Sequence, residues 1–245
     1  SRRSVEIAGR GRTTYQAFDD MVTDKACEYI REKASSDSDR PFAAVAGFVL
    51  PHCPFAAPNE LFDYYYDKVD IPQPSEQDRA GEPAAIRKFK SLRGLYPPLD
   101  GERIRVARAA YFGLCEYFDT LAGRVLDTLA ETGLAQNTLV IYCSDHGEMA
   151  GEHGCWWKSN YYEGSVGVPM IASMPGILPE GSSNDTICNL MDIGPTLIDV
   201  AGADPLHDLD GLSLWSDMTG GTKLDRNETF SEHVGQEGIP SRMIR

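Results

Sequence analysis

The stretch from Arg103 to Gly147 constrains the fold more than any other. Ile104, Tyr111, Phe118 and Val125 recur every seven residues, and Ala107, Leu114 and Leu121 interleave at the same spacing. That periodicity predicts a long helix, with Asp100 near its start as a cap and Gly133 as its stop. A short connection leads to Thr138–Cys143, TLVIYC, a continuous apolar run of the kind found in strands buried on both faces. A helix followed closely by such a strand is the unit from which layered α/β domains are built. Other segments agree with it. Tyr15, Phe18, Val22, Ala26 and Ile30 predict an amphipathic helix over residues 13–34, presenting those side chains to the core. Phe42–Leu50 predicts a second buried strand and Val168–Ser173 a third. Ile193–Val200 predicts a short helix, with Pro195 in its first turn and Gly202 past its end. Residues 51–99, rich in proline and carrying Tyr64, Tyr65 and Tyr66, read as a long, mostly irregular excursion. The expected class is α/β, a largely parallel sheet flanked by helices.

With 23 basic and 37 acidic side chains among 245 residues, the net charge is −14. That balance excludes a general nucleic-acid binder, which needs a lysine and arginine excess against phosphate. It leaves room for an anionic substrate, since a site needs only local positive charge. The longest apolar stretch, Phe42–Leu50, is far short of the ~20 residues a membrane span requires. The six cysteines form no CxxC pair and read as a mostly reduced set.

The chemistry gathers in three places. Asp145 and His146 follow the strand TLVIYC and the polar Ser144, where ligands collect in open α/β sheets. A carboxylate beside an imidazole can give two ligands to one metal ion; the plainer alternative is a capping aspartate and a surface histidine. Lys158 lies between Trp156–Trp157 and Tyr161–Tyr162, neighbours that could hold it in a partly dry pocket. There it would be a fixed charge for an oxyanion and a proton donor; otherwise it is a solvated surface lysine. His52, in LPHCPF, sits where flanking prolines fix the backbone at the end of the predicted strand 42–50; otherwise it is a loop histidine.

In combination, these segments resemble the sulfatase family of the alkaline-phosphatase superfamily. The likeness is carried by PHCPF at 51–55, the helix–strand unit ending SDHGE at 148, GEHGCWWKSNYYEGSVGVPMIASMPG at 151–176, MDIGPTLIDVAG at 191–202 and DGLSL at 210–214. It runs in order over nearly the whole chain and looks closest to choline sulfatases and phosphonate monoester hydrolases. The resemblance implies an alkaline-phosphatase-like layered sandwich and hydrolysis of a sulfate monoester through a covalent intermediate on a formylglycine nucleophile. It implies Asp145 and His146 as metal ligands, Lys158 as the group that holds the sulfate and the bridging oxygen, and His52 as the group that helps protonate the leaving alkoxide. His52 and Lys158 would thus be both catalytic and substrate-binding. One divalent ion is implied, calcium by family pattern, with manganese or zinc suited to the Asp–His pair. His153 is a further candidate, supporting the metal site or serving structure.

The pattern is incomplete. No cysteine or serine lies in a C/S-x-P/A-x-R motif, and the Asp-Asp pair that ends the family's first strand is missing. The expectation is therefore an internal section of a sulfatase: residues 1–225 part of the catalytic α/β domain, and 226–245, which ends in SEHVGQEGIPSRMIR, the start of a C-terminal subdomain. The nucleophile would lie outside this chain, which by itself would be inactive. Two other readings stand beside sulfate-ester hydrolysis. One is a phosphodiesterase or phosphonate monoester hydrolase of the same superfamily, and the other a non-catalytic binding domain that keeps the fold. The expected partner is a small-molecule or sugar sulfate ester, and the sequence leaves oligomeric state and compartment open.

Overall fold

The computed structural model describes residues 2–38, 40–205, 207–234 and 240–245, without the side chains of Gln77 and Arg79. The chain divides into two compact units, residues 1–135 with 147–166, and residues 136–146 with 167–245.

The first unit is built on helices. They are α1 (Arg3–Glu6), α2 (Thr14–Ala34), α3 (Asn59–Tyr66), α4 (Glu76–Ala80), α5 (Ala84–Arg93), α6 (Gly101–Glu131) and α7 (Glu163–Val166). Two short strands, β1 (Gly9–Arg10) and β2 (Ala56–Ala57), pair in parallel. The long helix starts and stops where the sequence places it. Asp100 accepts from the Arg103 amide at 2.7 Å, and Gly133 follows in the left-handed conformation at φ 76°. Its interleaved row of Ala107, Leu114 and Leu121 is buried. The α6 helix also passes so close to β2 that a Cβ on Gly113 would lie 2.9 Å from that of Ala57, so only glycine fits there. Phe55, Phe62, Trp156 and Trp157 join α6 in one core. A fully buried Phe55 alone contributes on the order of 1.5–3 kcal/mol.

Three expectations about this unit need correction. The α2 helix covers the expected span, closed at its start by a Thr13–Gln16 capping box, but its buried face is Gln16, Asp19, Thr23, Cys27 and Ile30. Phe18 is exposed. Long-range hydrogen bonds decide the rotation of this helix: Gln16 donates to the Ala56 carbonyl at 2.8 Å, and Asp19 accepts from the Val49 and Leu50 amides. Residues 42–49 form no strand, and Val45 is 94% exposed. An apolar run becomes a strand only when another strand satisfies its amides, and among the described residues none pairs with it. The excursion 51–99 is also more ordered than its prolines suggest, since it holds α3, α4 and α5.

The second unit carries β3 (Val140–Cys143), β4 (Met170–Ser173), α8 (Ile193–Val200), α9 (Trp215–Met218), β5 (Phe230–Val234) and β6 (Pro240–Ile244). Both strands and the helix fall within the segments the sequence marks, but β3 pairs antiparallel with β4, Val140 facing Ser173 and Cys143 facing Met170. The β5–β6 pair is antiparallel too, and residues 235–239 of SEHVGQEGIPSRMIR lie outside the described residues. Parallel pairing among the described residues is thus confined to β1–β2. Asp192 anchors the start of α8. It is fully buried, takes a two-pronged ion pair from Arg226 at 2.6 and 2.9 Å, and accepts the Leu212 and Asn189 amides.

Candidate functional site

In the first unit the structure brings His52 and Lys158 together from positions 106 residues apart, with Lys158 Nζ 2.7 Å from His52 Nε2. His52 Nδ1 lies 2.7 Å from the Cys53 carbonyl oxygen. A carbonyl only accepts, so Nδ1 carries the imidazole proton. Nε2 is then the acceptor of the ring, and the Lys158 amino group donates to it. A proton moved along this contact would turn His52 into an acid.

Each partner is held by its own scaffold. Asp19 binds the amides of Val49 and Leu50, His52 N–H donates to the Val49 carbonyl at 3.0 Å, and Gln16 holds Ala56 on the far side. The loop between contains two cis prolyl bonds, Leu50–Pro51 and Cys53–Pro54. Tyr15 sets its ring edge-on to His52, centroids 6.1 Å apart. Burial pushes the Asp19 carboxyl above the ordinary carboxylate range, although the two amides it binds pull the other way.

Lys158 projects from a loop that folds back on itself. Met149 N–H donates to the Trp157 carbonyl at 3.0 Å, and Gly147 N–H to the Ser165 carbonyl at 2.8 Å. Arg108 of α6 donates to the Ala150 carbonyl at 2.7 Å. Trp156 and Trp157 are buried, as a partly dry lysine pocket requires. Glu148 accepts from the Ala150 and Trp157 amides. Burial raises its carboxyl above the usual range, opposed by those amides and by the Lys158 charge.

His153 is placed by a different network. Its Nδ1 lies 3.0 and 3.1 Å from the two Asp78 oxygens, and its ring stacks on Tyr162 at 4.0 Å. It therefore ties α4 to the lysine loop. Burial works against ionisation of Asp78, but the hydrogen bonds from Ser75 and His153 outweigh it and hold the carboxyl below its ordinary value.

Asp145 and His146 belong to the second unit, directly after β3. Asp145 Oδ1 accepts its neighbour's amide at 3.0 Å, His146 Nε2 is 3.6 Å from Asp145 Oδ2, and Ser144 Oγ donates to the His146 carbonyl at 2.8 Å. The Asp145 side chain is 83% exposed. An oxygen and an imidazole nitrogen this close suit a divalent ion. Among the described residues, however, no group of three or more His, Cys, Asp or Glu could hold one. A metal takes four or more ligands, so the pair by itself could supply only part of a coordination shell.

Sequence reasoning singled out His52, Lys158, Asp145 and His146. It missed Gln16 and Asp19, which no local motif marks, and gave no role to Glu148 although that residue ends the SDHGE motif, because their partners are backbone amides and carbonyls brought in by the fold.

Comparison with known proteins gives a consistent picture. A family profile described as Sulfatase matches residues 4–203. The choline-sulfatase of Rhizobium meliloti (strain 1021) is 34% identical over 224 residues, 87% of this chain and 42% of that protein. The arylsulfatase of Clostridium perfringens (strain 13 / Type A) is 32% identical over 219 residues, 88% of this chain and 44% of its own length. Among solved structures, the phosphonate monoester hydrolase of Agrobacterium radiobacter superposes with a TM-score of 0.75 at 25% identity, covering 91% of this chain and 50% of that one. The chain thus spans less than half the length of these two curated relatives.

Proposed function

The chain belongs to the sulfatase family, and from that premise we propose that it serves metal-assisted hydrolysis of sulfate monoesters. The observation that carries this reading is the 2.7 Å contact between Lys158 and His52, with the imidazole held in one tautomer by the Cys53 carbonyl. Breaking the sulfur–oxygen bond of an ester leaves an alkoxide that must gain a proton, while negative charge on the sulfate oxygens needs a cationic partner. Lys158 holds those oxygens with its ammonium. As the ester bond breaks and charge reaches the leaving oxygen, a proton passes from Lys158 through His52 Nε2 to that oxygen, and Lys158 then recovers a proton from water. The Cys53 carbonyl supports the cationic imidazole through this transfer by continuing to accept from Nδ1.

Asp145 and His146 are the residues that would hold the divalent ion. When bound, that ion supplies Lewis-acid neutralisation of developing charge. Calcium follows the family pattern, and the imidazole ligand suits manganese or zinc. The nucleophile, formylglycine in this family, has no C/S-x-P/A-x-R motif within residues 1–245. The substrate class is a small-molecule or sugar sulfate ester. A second reading, phosphonate monoester or phosphodiester hydrolysis, is favoured by the likeness to the A. radiobacter enzyme.

The test is a panel of aryl, choline and sugar sulfates against matched phosphonate and phosphate esters, run on the full-length protein with mass analysis for formylglycine. Preferred turnover of sulfates, with the modification present, is the expected result. Preference for phosphonates would move the assignment to the second reading. Absence of any turnover together with an unmodified chain would leave only a binding role.

A further inference from the structure

The loop that carries Lys158 holds four non-glycine residues at positive φ within ten positions: Ala150 (46°), His153 (53°), Trp157 (64°) and Ser159 (76°). Each such residue costs on the order of 1–3 kcal/mol, so this backbone persists only where its surroundings over-determine it. Trp157 and Ser159 flank Lys158, so the direction in which the lysine leaves the chain depends on that strained conformation.

A single carboxylate oxygen meets two of the four. Glu148 Oε1 accepts the Ala150 amide at 3.0 Å and the Trp157 amide at 2.6 Å. With the Met149 amide on the Trp157 carbonyl, it closes residues 148–157 into a ring whose seam lies one residue before Lys158. The carboxylate is also close enough to Lys158 for the lysine charge to act on it. Both bonds come from backbone N–H groups, so an acceptor of the right reach is what the loop needs from this side chain.

We propose that Glu148 is the positioning residue of the Lys158–His52 pair: by clamping the Ala150 and Trp157 amides on one oxygen, it sets the backbone from which Lys158 reaches His52 Nε2. The importance of the pair rests on the hydrolase reading above, whereas its dependence on Glu148 can be read without substrate. Glutamine keeps an acceptor oxygen at the same reach; aspartate keeps the charge but is one methylene too short to serve both amides.

The experiment compares wild type, Glu148→Gln, Glu148→Asp and the reference Lys158→Met as full-length protein with 15N-labelled histidine. It reads the His52 Nε2 chemical shift, which reports whether that nitrogen accepts a hydrogen bond. Glu148→Gln should keep the wild-type signal, and Glu148→Asp should move it to the position seen in Lys158→Met. With a sulfate ester, Glu148→Asp should also lower kcat by about tenfold or more, with recovery in Glu148→Gln. A glutamine variant with the Lys158→Met signal, or a folded aspartate variant with the wild-type signal, overturns the proposal. A protein that turns over no ester but shows the expected shifts supports the positioning role while sinking the hydrolase reading.

Discussion

Lys158 Nζ lies 2.7 Å from His52 Nε2, and the Cys53 carbonyl on Nδ1 leaves Nε2 as the acceptor, so the proposed chemistry needs the lysine as a cation. Removing that ammonium takes away both the charge on the ester and the source of the proton. Lys158→Ala should therefore lower kcat/KM for a sulfate ester on the order of 10²–10³-fold, the scale seen when one such donor is lost. The circular dichroism spectrum should stay unchanged, and near-native turnover by this variant would remove Lys158 from the chemistry. At this scale the sequence was readable where residue type and neighbours coincide: a lysine between paired aromatics, a histidine between prolines. It was silent on Glu148, Asp19 and Gln16. Their side chains bind main-chain groups, and a main-chain group looks the same in every residue.

Elements show the same division. The α6 helix was legible to its caps, because periodicity, Asp100 and Gly133 are local signals. The exact rotation of α2 was not, because buried hydrogen bonds at Gln16 and Asp19 turn those polar residues inward, which exposes Phe18 and leaves Tyr15, Val22 and Ala26 half-buried. In the second unit, α8 begins on the buried ion pair between Asp192 and Arg226. Burial alone would raise the Asp192 carboxyl, but Arg226 and two backbone amides outweigh it and hold the carboxyl below its ordinary value. A depressed carboxyl contributes stability that is fully present above its unfolded value, near about 4, and is lost as pH falls through the lower folded value. Asp192→Asn strands Arg226 and should cost about 3–5 kcal/mol at pH 7. It should also flatten the loss of stability below about pH 4. Urea unfolding across that pH range measures both effects. An unchanged midpoint would show that the pair contributes nothing net.

For the whole molecule, the charge of −14 now sits beside a proposed anionic substrate, so the positive charge that receives it must be local, at Lys158 and at any bound metal. Asp145 and His146, 3.6 Å apart, are the proposed ligands of that metal. Asp145→Ala in the full-length protein should lower bound divalent metal well below one equivalent, as measured by inductively coupled plasma mass spectrometry after dialysis. Full retention of metal would remove Asp145 from the ligand set.

The sequence by itself determined the family, the α6–β3 helix–strand unit and the four residues on which the proposed chemistry rests. These are written in residue type, spacing and periodicity, all of which act along the chain. Only the tertiary structure decided which face of α2 is buried, that residues 42–49 pair with no strand among the described residues, that β3 and β4 pair antiparallel, and that Lys158 meets His52. Each of these depends on where a distant backbone amide, carbonyl or side chain comes to lie, and no local pattern encodes that position.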